Sequence, residues 1–334
     1  MNSFDPNDVG IKGSLFGLPW TVDEADVIVL PMPWDVTVSY GAGTGMAPQI
    51  ILEESSQIDY FRLDKPLAWK TKVAMAKIPE EWLAKGKLLR EKAEKYINWL
   101  ENGSEPSMAL LMENHRIEIN QECYLFNEYV RQETDSWHKR GKKTIVLGGD
   151  HSTPLGHIMA IAKMQQIGVL QIDAHADLRK DYEGFEYSHA SIMRNALQAD
   201  GVNSIVSVGV RDLCEEEALL ISEDARLICF FDQRLKERLY QGESWSNICH
   251  EIIGSLPEKV YLSIDIDGLD PSHCPSTGTP VPGGLSFDQL KFLIAQLKFS
   301  GKTIVGADLV EVGAEVWDAN VGTRVLWELV HLIA

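Results

Sequence analysis

Three short stretches carry residues able to hold cations: 148-GGDHSTP-154, 173-DAHAD-177 and 263-SIDIDGLDPS-272. Each follows an apolar run (TIVL, GVLQI and VYL), so each starts where a buried strand is expected to end. Ionisable groups left unpaired at such places would be costly to desolvate. A bound divalent cation removes that cost. Side chains alternate across a strand, so on that pattern Asp173, His175 and Asp177 share one side, as do Asp265 and Asp267. With His151, which follows a Gly-Gly turn, the set holds two imidazoles and four aspartates. That is more than one ion needs and suits two ions bridged by carboxylate and a solvent oxygen. Mixed nitrogen and oxygen ligation without thiolate favours Mn²⁺, with Ni²⁺, Co²⁺ or Zn²⁺ admitted by affinity. A single DxH or DxD is commonly a cap or a turn. Three such clusters at three strand ends are not accounted for that way.

The elements that must position these groups follow from the apolar pattern. Val/Ile-rich runs at 26–32, 72–78, 144–148, 168–172, 204–210, 226–231, 260–264 and 303–310 are apolar without alternation, as strands covered on both faces are. Amphipathic stretches at 81–100, 119–140, 286–299 and 322–333 predict helices between or after them. Strand alternating with helix predicts a parallel sheet with helices on both sides and a site at the C-terminal strand ends. No repeat or Pro/Ser-rich linker divides the 334 residues, 101-ENGSEPS-107 reads as a loop between helices, and the reading is a single domain with residues 1–25 as an irregular arm.

A formal charge of -18 argues against nucleic acid or an anionic membrane surface as partner, because both need basic patches. The five cysteines form no CxxC pair and are odd in number, which reads as reduced thiols in a cytoplasmic protein. Neither a basic leader followed by an apolar run nor an 18-residue apolar span is present in the sequence.

Taken in order, GGDHS, DAHAD and SIDIDGLDPS resemble the three signatures of the ureohydrolases, a family comprising arginase, agmatinase, guanidinobutyrase and formimidoylglutamase. The resemblance runs from 26-DVIVLPMPWDVTVSYGAGTGMAPQII-51 to 308-DLVEV-312 and is most like agmatinase. It implies a three-layer α/β/α fold with a mostly parallel eight-stranded sheet, two Mn²⁺ per chain and a homo-trimer or homo-hexamer. It also implies hydrolysis of a guanidino group to urea and an amine. By the resemblance, His151, Asp173, Asp177 and Asp265 ligate one ion or bridge, and His175 with Asp267 completes the other shell. His189, in YSHAS, matches a proton-shuttling histidine, and Glu311, in DLVEV, matches the carboxylate that holds the guanidinium.

The chemistry is consistent with those roles. Two ions lower the pKa of a shared water and present hydroxide at neutral pH. Glu311 can pair with the guanidinium and fix its carbon over that hydroxide. Collapse of the tetrahedral centre needs a proton on the leaving amine; Asp177 is the expected relay, and His189, with a pKa near neutrality, the return route to solvent.

The substrate itself is less sharply written. Where arginase-type sequences carry an Asn two places beyond the third signature Asp, this chain has Arg179, which argues against L-arginine. The wording DLR…YSHAS is similar to agmatinase-type sequences, and Asp181, Glu183 and Glu186 offer carboxylates to a cationic tail. An Arg179 pointing into the cleft would instead favour a guanidino acid such as 4-guanidinobutyrate. Trp317, in a GAEVWDAN segment replacing the usual Pro-containing turn, would narrow the mouth and select a small substrate such as guanidine. Agmatine is the leading expectation. A deacetylase of the same fold or a non-catalytic metal-binding relative are the readings from other classes. Asp150 and Ser152 are expected to brace the turn, Asp270 to bond its own turn, and His273 and Cys274 to serve the loop. His157 is expected to pack, and His115, His138, His250 and His331 to have no partners.

Overall fold

The computed structural model describes residues 4–334. Its strands are β1 (Val27–Met32), β2 (Val73–Met75), β3 (Lys143–Gly148), β4 (Ile167–Ile172), β5 (Val202–Val208), β6 (Leu227–Phe230), β7 (Lys259–Asp265) and β8 (Thr303–Val310). They form one eight-stranded sheet in the order β2-β1-β3-β8-β7-β4-β5-β6, and every neighbouring pair is parallel. The helices are α1 (Ala47–Glu54), α2 (Glu80–Glu101), α3 (Ala109–Lys139), α4 (Leu155–Met164), α5 (Ile192–Ala196), α6 (Glu215–Glu223), α7 (Asp232–Tyr240), α8 (Trp245–Gly254), α9 (Phe287–Phe299) and α10 (Val316–Ile333).

The continuous apolar strands are explained by burial on both faces. Val27 and Val29 of β1 pack into a cluster with α1, α7, α8, α9 and α10, whereas Ile28, Leu30 and Met32 pack against α2 and α3. Val169 and Ile205 meet α4, α5 and α6 on that second side. The result is the expected three-layer α/β/α architecture.

Most strand limits agree with the apolar runs to within one or two residues; β2 stops at Met75, short of the expected 78, because it is an edge strand with one partner. The larger departures lie in helices. α3 begins ten residues before the expected 119, since Leu110 and Leu111 of its first turns face solvent and hide the amphipathic period. α10 begins at Val316, within what reads as a turn.

Residues 4–25 are irregular but are not a loose arm. Leu15, Phe16 and Leu18 are buried, Phe16 meets the Trp327 ring of α10 at 4.7 Å, and the Tyr60 hydroxyl donates to the Phe16 carbonyl at 2.8 Å. His331, expected to lack partners, is also buried. Its Nδ1 lies 2.8 Å from the Trp327 carbonyl and its Nε2 3.3 Å from Thr71 Oγ1.

Burial, aided by the charges of Arg62 and Lys65 and opposed by the Trp327 carbonyl, leaves His331 pushed down to about 4 from 6.5. The unfolded chain therefore takes up this proton first as pH falls. The contribution of neutral His331 is fully present above about pH 6.5 and is lost progressively towards pH 4, on the order of 3 kcal/mol at most. Urea unfolding of apoprotein at pH 7, 5.5 and 4.5 should show wild type losing stability relative to His331→Gln across that window. A constant gap would refute the assignment.

Candidate active site

Three strands, β3, β7 and β4, deliver the cation-binding side chains at their C-terminal ends, and β8, between β3 and β7, brings Glu311 to the same edge. The chain leaves β3 for β4, three positions further along the sheet, and returns later to lay β7 and β8 between them. This is the kind of crossover point at which parallel sheets open a crevice. Gly149 lets the β3 loop run against β1's continuation, where a Cβ would sit 2.0 Å from the Trp34 carbonyl oxygen. Gly268 does the same for the β7 loop, where a Cβ would sit 2.6 Å from the Asp173 amide nitrogen.

His151 Nδ1 lies 3.0 Å from Asp173 Oδ2, 2.9 Å from Asp177 Oδ2 and 3.2 Å from Asp265 Oδ2. His175 Nδ1 lies 3.1 Å from Asp267 Oδ2 and 3.6 Å from Asp173 Oδ1. Two groupings able to hold a cation emerge, His151–Asp173–Asp265 and Asp173–His175–Asp267, and they share Asp173 through its two oxygens. All six expected positions are thus brought together, with His175 the most open of them. The means differ from simple strand alternation. β4 ends at Ile172, and residues 173–177 form an irregular turn in which the His175 amide donates to Asp173 Oδ1 at 2.6 Å. Asp267 lies in a 3₁₀ turn whose amide donates to Asp265 Oδ1 at 2.9 Å.

Two functional candidates have left-handed backbones unusual for residues other than glycine: Asp177 at φ 54° and Glu311 at φ 59°. Such conformations cost of order 1–3 kcal/mol and persist only when neighbours over-determine them. The Asp177 carbonyl accepts from the amides of Met193 and Arg194 at 3.0 and 3.3 Å. The Glu311 amide donates to the Gly149 carbonyl at 2.8 Å, and the Glu311 carbonyl accepts from Thr277 at 2.7 Å.

The donor set fits divalent cations. His151 Nδ1 is fully buried with no satisfying hydrogen bond, while its Nε2 lies 2.9 Å from Ser263 Oγ. Ser263 in turn donates to Asp308 Oδ1 at 3.0 Å. Because an ionised Asp308 can only accept, Ser263 must accept from His151 Nε2–H, which leaves the Nδ1 lone pair directed at the carboxylates. Gln171 donates to Asp173 Oδ2 at 2.8 Å and is itself held by the Ser207 hydroxyl at 2.6 Å.

Without cations, protons take their place. Burial opposes charge on both imidazoles, yet the attraction of the surrounding carboxylates outweighs it, so His151 binds its proton far more tightly than usual and His175 is pushed up to about 12. Against burial, the same two imidazoles hold Asp173 well below the ordinary carboxylate range. Burial, then Asp173, lifts Asp177 to about 7; burial, then Asp267 and Asp173, raises Asp265 strongly. Cations must displace these protons, so affinity is expected to fall on acidification.

Glu311 is buried with Oε1 accepting the His151 amide at 3.0 Å and Oε2 unpartnered. Burial, with Asp150 and Asp267 nearby, raises its pKa strongly, so a cationic partner is what would keep it ionised. His189 lines the same cleft, but its expected pKa near neutrality is corrected. Burial, then the charges of His175 and His151, pushes it down to about 3, so it is a neutral acceptor and not a proton store.

A cavity of about 160 Å³ opens beside His175 and Asp177, lined also by Ser39, Arg179, Tyr182, His189, Asp212 and Glu217. Arg179 faces this cavity, stacked on the Tyr182 ring at 4.7 Å with Glu217 Oε2 3.9 Å away. The expected carboxylates Asp181, Glu183 and Glu186 do not line it: Asp181 and Glu186 are exposed, and Glu183 is partly buried away from the cavity. Asp212 and Glu217, which sequence reasoning missed, do. Glu217 is buried and accepts the amides of Leu178 and Cys214, both at 2.9 Å. Arg211 was also missed; it ties the carbonyls of Gly209, Asp267, Leu269 and Val281 together and so fixes the loop bearing Asp267. The sequence offered only a weak signal for these, a charged run RDLCEEE directly after β5.

Trp317 is exposed, donates to the Ser272 carbonyl at 3.0 Å and does not narrow this cavity. His273 Nε2 accepts the Phe287 amide at 3.2 Å and Asp270 accepts Ser272, as loop-bracing groups do. Asp150 accepts the Ser152 amide, as expected for a brace.

Paired cation sites at the C-terminal edge of a parallel sheet, facing a small charged cleft, define the class as a binuclear-metal hydrolase. Residues 25–331 match the profile of the arginase family, and the chain belongs to that family. It is 31% identical over 293 residues to the N(1)-aminopropylagmatine ureohydrolase of Thermus thermophilus, covering 87% of this chain and 83% of the relative. It is 30% identical over 317 residues to the agmatinase of Bacillus subtilis, covering 92% and 91% of the two chains. The crystal structure of the agmatine ureohydrolase of Thermoplasma volcanium superposes with a TM-score of 0.71 at 21% identity, covering 96% and 94%.

The shared carboxylate sets the metal prediction. Asp173→Asn should abolish binding of both cations, whereas Asp267→Asn should leave one tightly held ion, as read by metal content after gel filtration. Equal loss in both variants would contradict the bridging role of Asp173.

Proposed function

We propose that this chain hydrolyses the guanidino group of a small linear substrate to urea and an amine, with agmatine giving putrescine as the leading substrate. The observation that carries this reading is the unpartnered Oε2 of buried Glu311 beside two cation-holding groups that share Asp173. We take the resident ions to be Mn²⁺, since the donors are imidazole and carboxylate without thiolate. A pair of divalent cations, when bound by His151, Asp173, His175, Asp177, Asp265 and Asp267, supplies Lewis acidity and hydroxide at neutral pH.

The chain's own residues do the rest. Glu311 needs a cation to remain charged and offers Oε2 and the second lone pair of Oε1 to a guanidinium. This orients the carbon and neutralises a charge that would otherwise stay buried and unpaired. Asp177, beside the place of the attacking oxygen, can carry a proton from it to the leaving amine. His189, neutral at the cleft wall, can accept a hydrogen bond from substrate or solvent there.

Agmatine is supported by relatives named for agmatine and aminopropylagmatine and by the carboxylate of Asp212 in the cavity. Glu217 balances Arg179, which removes the argument that this guanidinium must repel a cationic tail. The same reading carries a single domain, a homo-trimer or homo-hexamer and a cytoplasmic setting, the last supported by five cysteines without a disulfide. Among the described residues, no helix is long and apolar enough to cross a membrane.

Urea release by Mn²⁺-loaded protein should be fastest on agmatine when compared with L-arginine, 4-guanidinobutyrate and guanidine. Preference for the guanidino acid would reassign Arg179 to the substrate, and urea from none of them would overturn the reading. Glu311→Gln should lower kcat/KM by about 100-fold or more at unchanged metal content, the scale set by removing one partner of a buried charge pair. Retained activity would exclude Glu311 as the guanidinium's partner.

A further inference from the structure

Two segments distant in sequence close over the oxygen that Glu311 leaves free. Residues 38–41, in the bend after β1, and residues 278–279, in the loop after β7, line a small pocket at Glu311 together with His189. The Gly41 amide donates to the Gly278 carbonyl at 3.2 Å and ties the two segments together.

Each segment is held from behind. Arg90 of α2 donates through Nη1 to the carbonyls of Val36, at 3.2 Å, and of Val38, and its Nε donates to Glu94 Oε1 at 3.2 Å. The Arg90 side chain is only 14% exposed and lines neither this pocket nor the cavity beside His175, so it can act on them only through the backbone it binds. Asp35 Oδ2 accepts the amides of Gly43 and Gly45 at 2.9 and 3.1 Å, which fixes the far side of the bend. On the other segment, buried Asp318 of α10 accepts the Ser276 amide at 3.0 Å, next to the Thr277 that bonds the Glu311 carbonyl.

Gly278 is where these segments meet the carboxylate. A Cβ there would stand 3.1 Å from Glu311 Oε2 and 3.2 Å from the Gly41 carbonyl oxygen, so a side chain would crowd both. Its absence leaves two acceptors open to one small space. Glu311 is buried, and its Oε2 has no hydrogen-bond partner among the described residues. An acceptor left unpaired in such a place is costly, and two neighbouring acceptors call for two N–H donors close together. An unsubstituted guanidino nitrogen carries both donors; an N-alkylated one carries a single N–H, and an amide oxygen carries none.

We propose that Gly278 is a specificity-determining residue, whose missing side chain lets one unsubstituted guanidino nitrogen donate to both Glu311 Oε2 and the Gly41 carbonyl, and that Arg90 is the positioning residue that holds the Gly41 segment over Glu311. The inference rests on the proposed hydrolysis and deepens it: the head group must end in NH₂, whatever tail it carries.

The test compares Mn²⁺-loaded wild type with Gly278→Ala, Arg90→Met, Arg90→Lys and Leu89→Val. Leu89 is buried on α2 beside Arg90, so Leu89→Val is the control for loosening of that helix. The readouts are metal content, KM and kcat for agmatine, and hydrogen exchange in peptides spanning 36–45 and 272–279. Gly278→Ala should keep both ions and raise KM by about tenfold or more, the scale of one lost hydrogen bond to a charged partner. Arg90→Met should speed exchange in 36–45 and raise KM, and Arg90→Lys, which still brings a donor to the two carbonyls, should restore most of both. Leu89→Val should lower the melting temperature and leave KM unchanged. Independently of any variant's folding, wild type should prefer agmatine by about 100-fold or more in kcat/KM over its analogue methylated once on each terminal guanidino nitrogen. An unchanged KM or a loss of metal in Gly278→Ala, equal rates on the methylated analogue, or an Arg90→Met indistinguishable from Leu89→Val would each overturn the proposal and leave the hydrolysis standing. Wild type that releases urea from no guanidino compound would overturn both.

Discussion

Everything at the edge of this sheet depends on the crowding of negative charge around Asp173. Its two oxygens serve both imidazoles, and Asp177, Asp265 and Asp267 close around the same volume. Such a cluster is untenable in a low-dielectric interior without compensating positive charge. In the free protein the compensation comes from protons on His151 and His175; in the loaded protein it comes from cations. The surrounding structure is organised to make that exchange favourable. Ser263 and Asp308 set the orientation of His151, Gln171 holds Asp173, and Arg211 anchors the loop carrying Asp267.

Glu311 extends the same logic to the substrate. It is one carboxylate too many for the cations to balance, buried among Asp150 and Asp267 with an oxygen left free. A cationic guanidinium answers that imbalance, whereas a neutral amide leaves it in place. On the proposed function, selectivity for the head group would follow from that charge count, with the tail lying in a cavity where Arg179 is already matched by Glu217.

The legibility of the sequence tracked the range of the forces involved. The strands were readable because burial on two faces leaves unbroken apolar runs such as GVLQI and VYLSI, and the cation-binding residues were readable because they follow those runs directly. What the sequence hid was long-range. Alternation wrongly explained how DAHAD converges; the turn after Ile172 and the left-handed Asp177 do so instead. Glu217 acts on the cleft from the first turn of α6, forty residues beyond Asp177, and nothing in RDLCEEE distinguishes it from its exposed neighbours. The start of α3 was hidden because its first apolar residues point into solvent. His138 looked isolated because its partner Thr144 lies on another element, and His157, expected only to pack, also lies against the Tyr261 hydroxyl of β7.

The strand order has a consequence for biogenesis. β8 is the last strand made, yet it lies between β3 and β7, near the middle of the sheet. On the ribosome the earlier strands can pair only around a gap, and Glu311 and Asp308, which sit on or just after β8, emerge near the end of synthesis. The support behind His151 and the buried carboxylate of Glu311 therefore come into being together, after nearly all of the chain has been translated. A nascent or truncated chain carries the DAHAD ligands without the partners that orient them, so the competent centre is a property of the finished polypeptide.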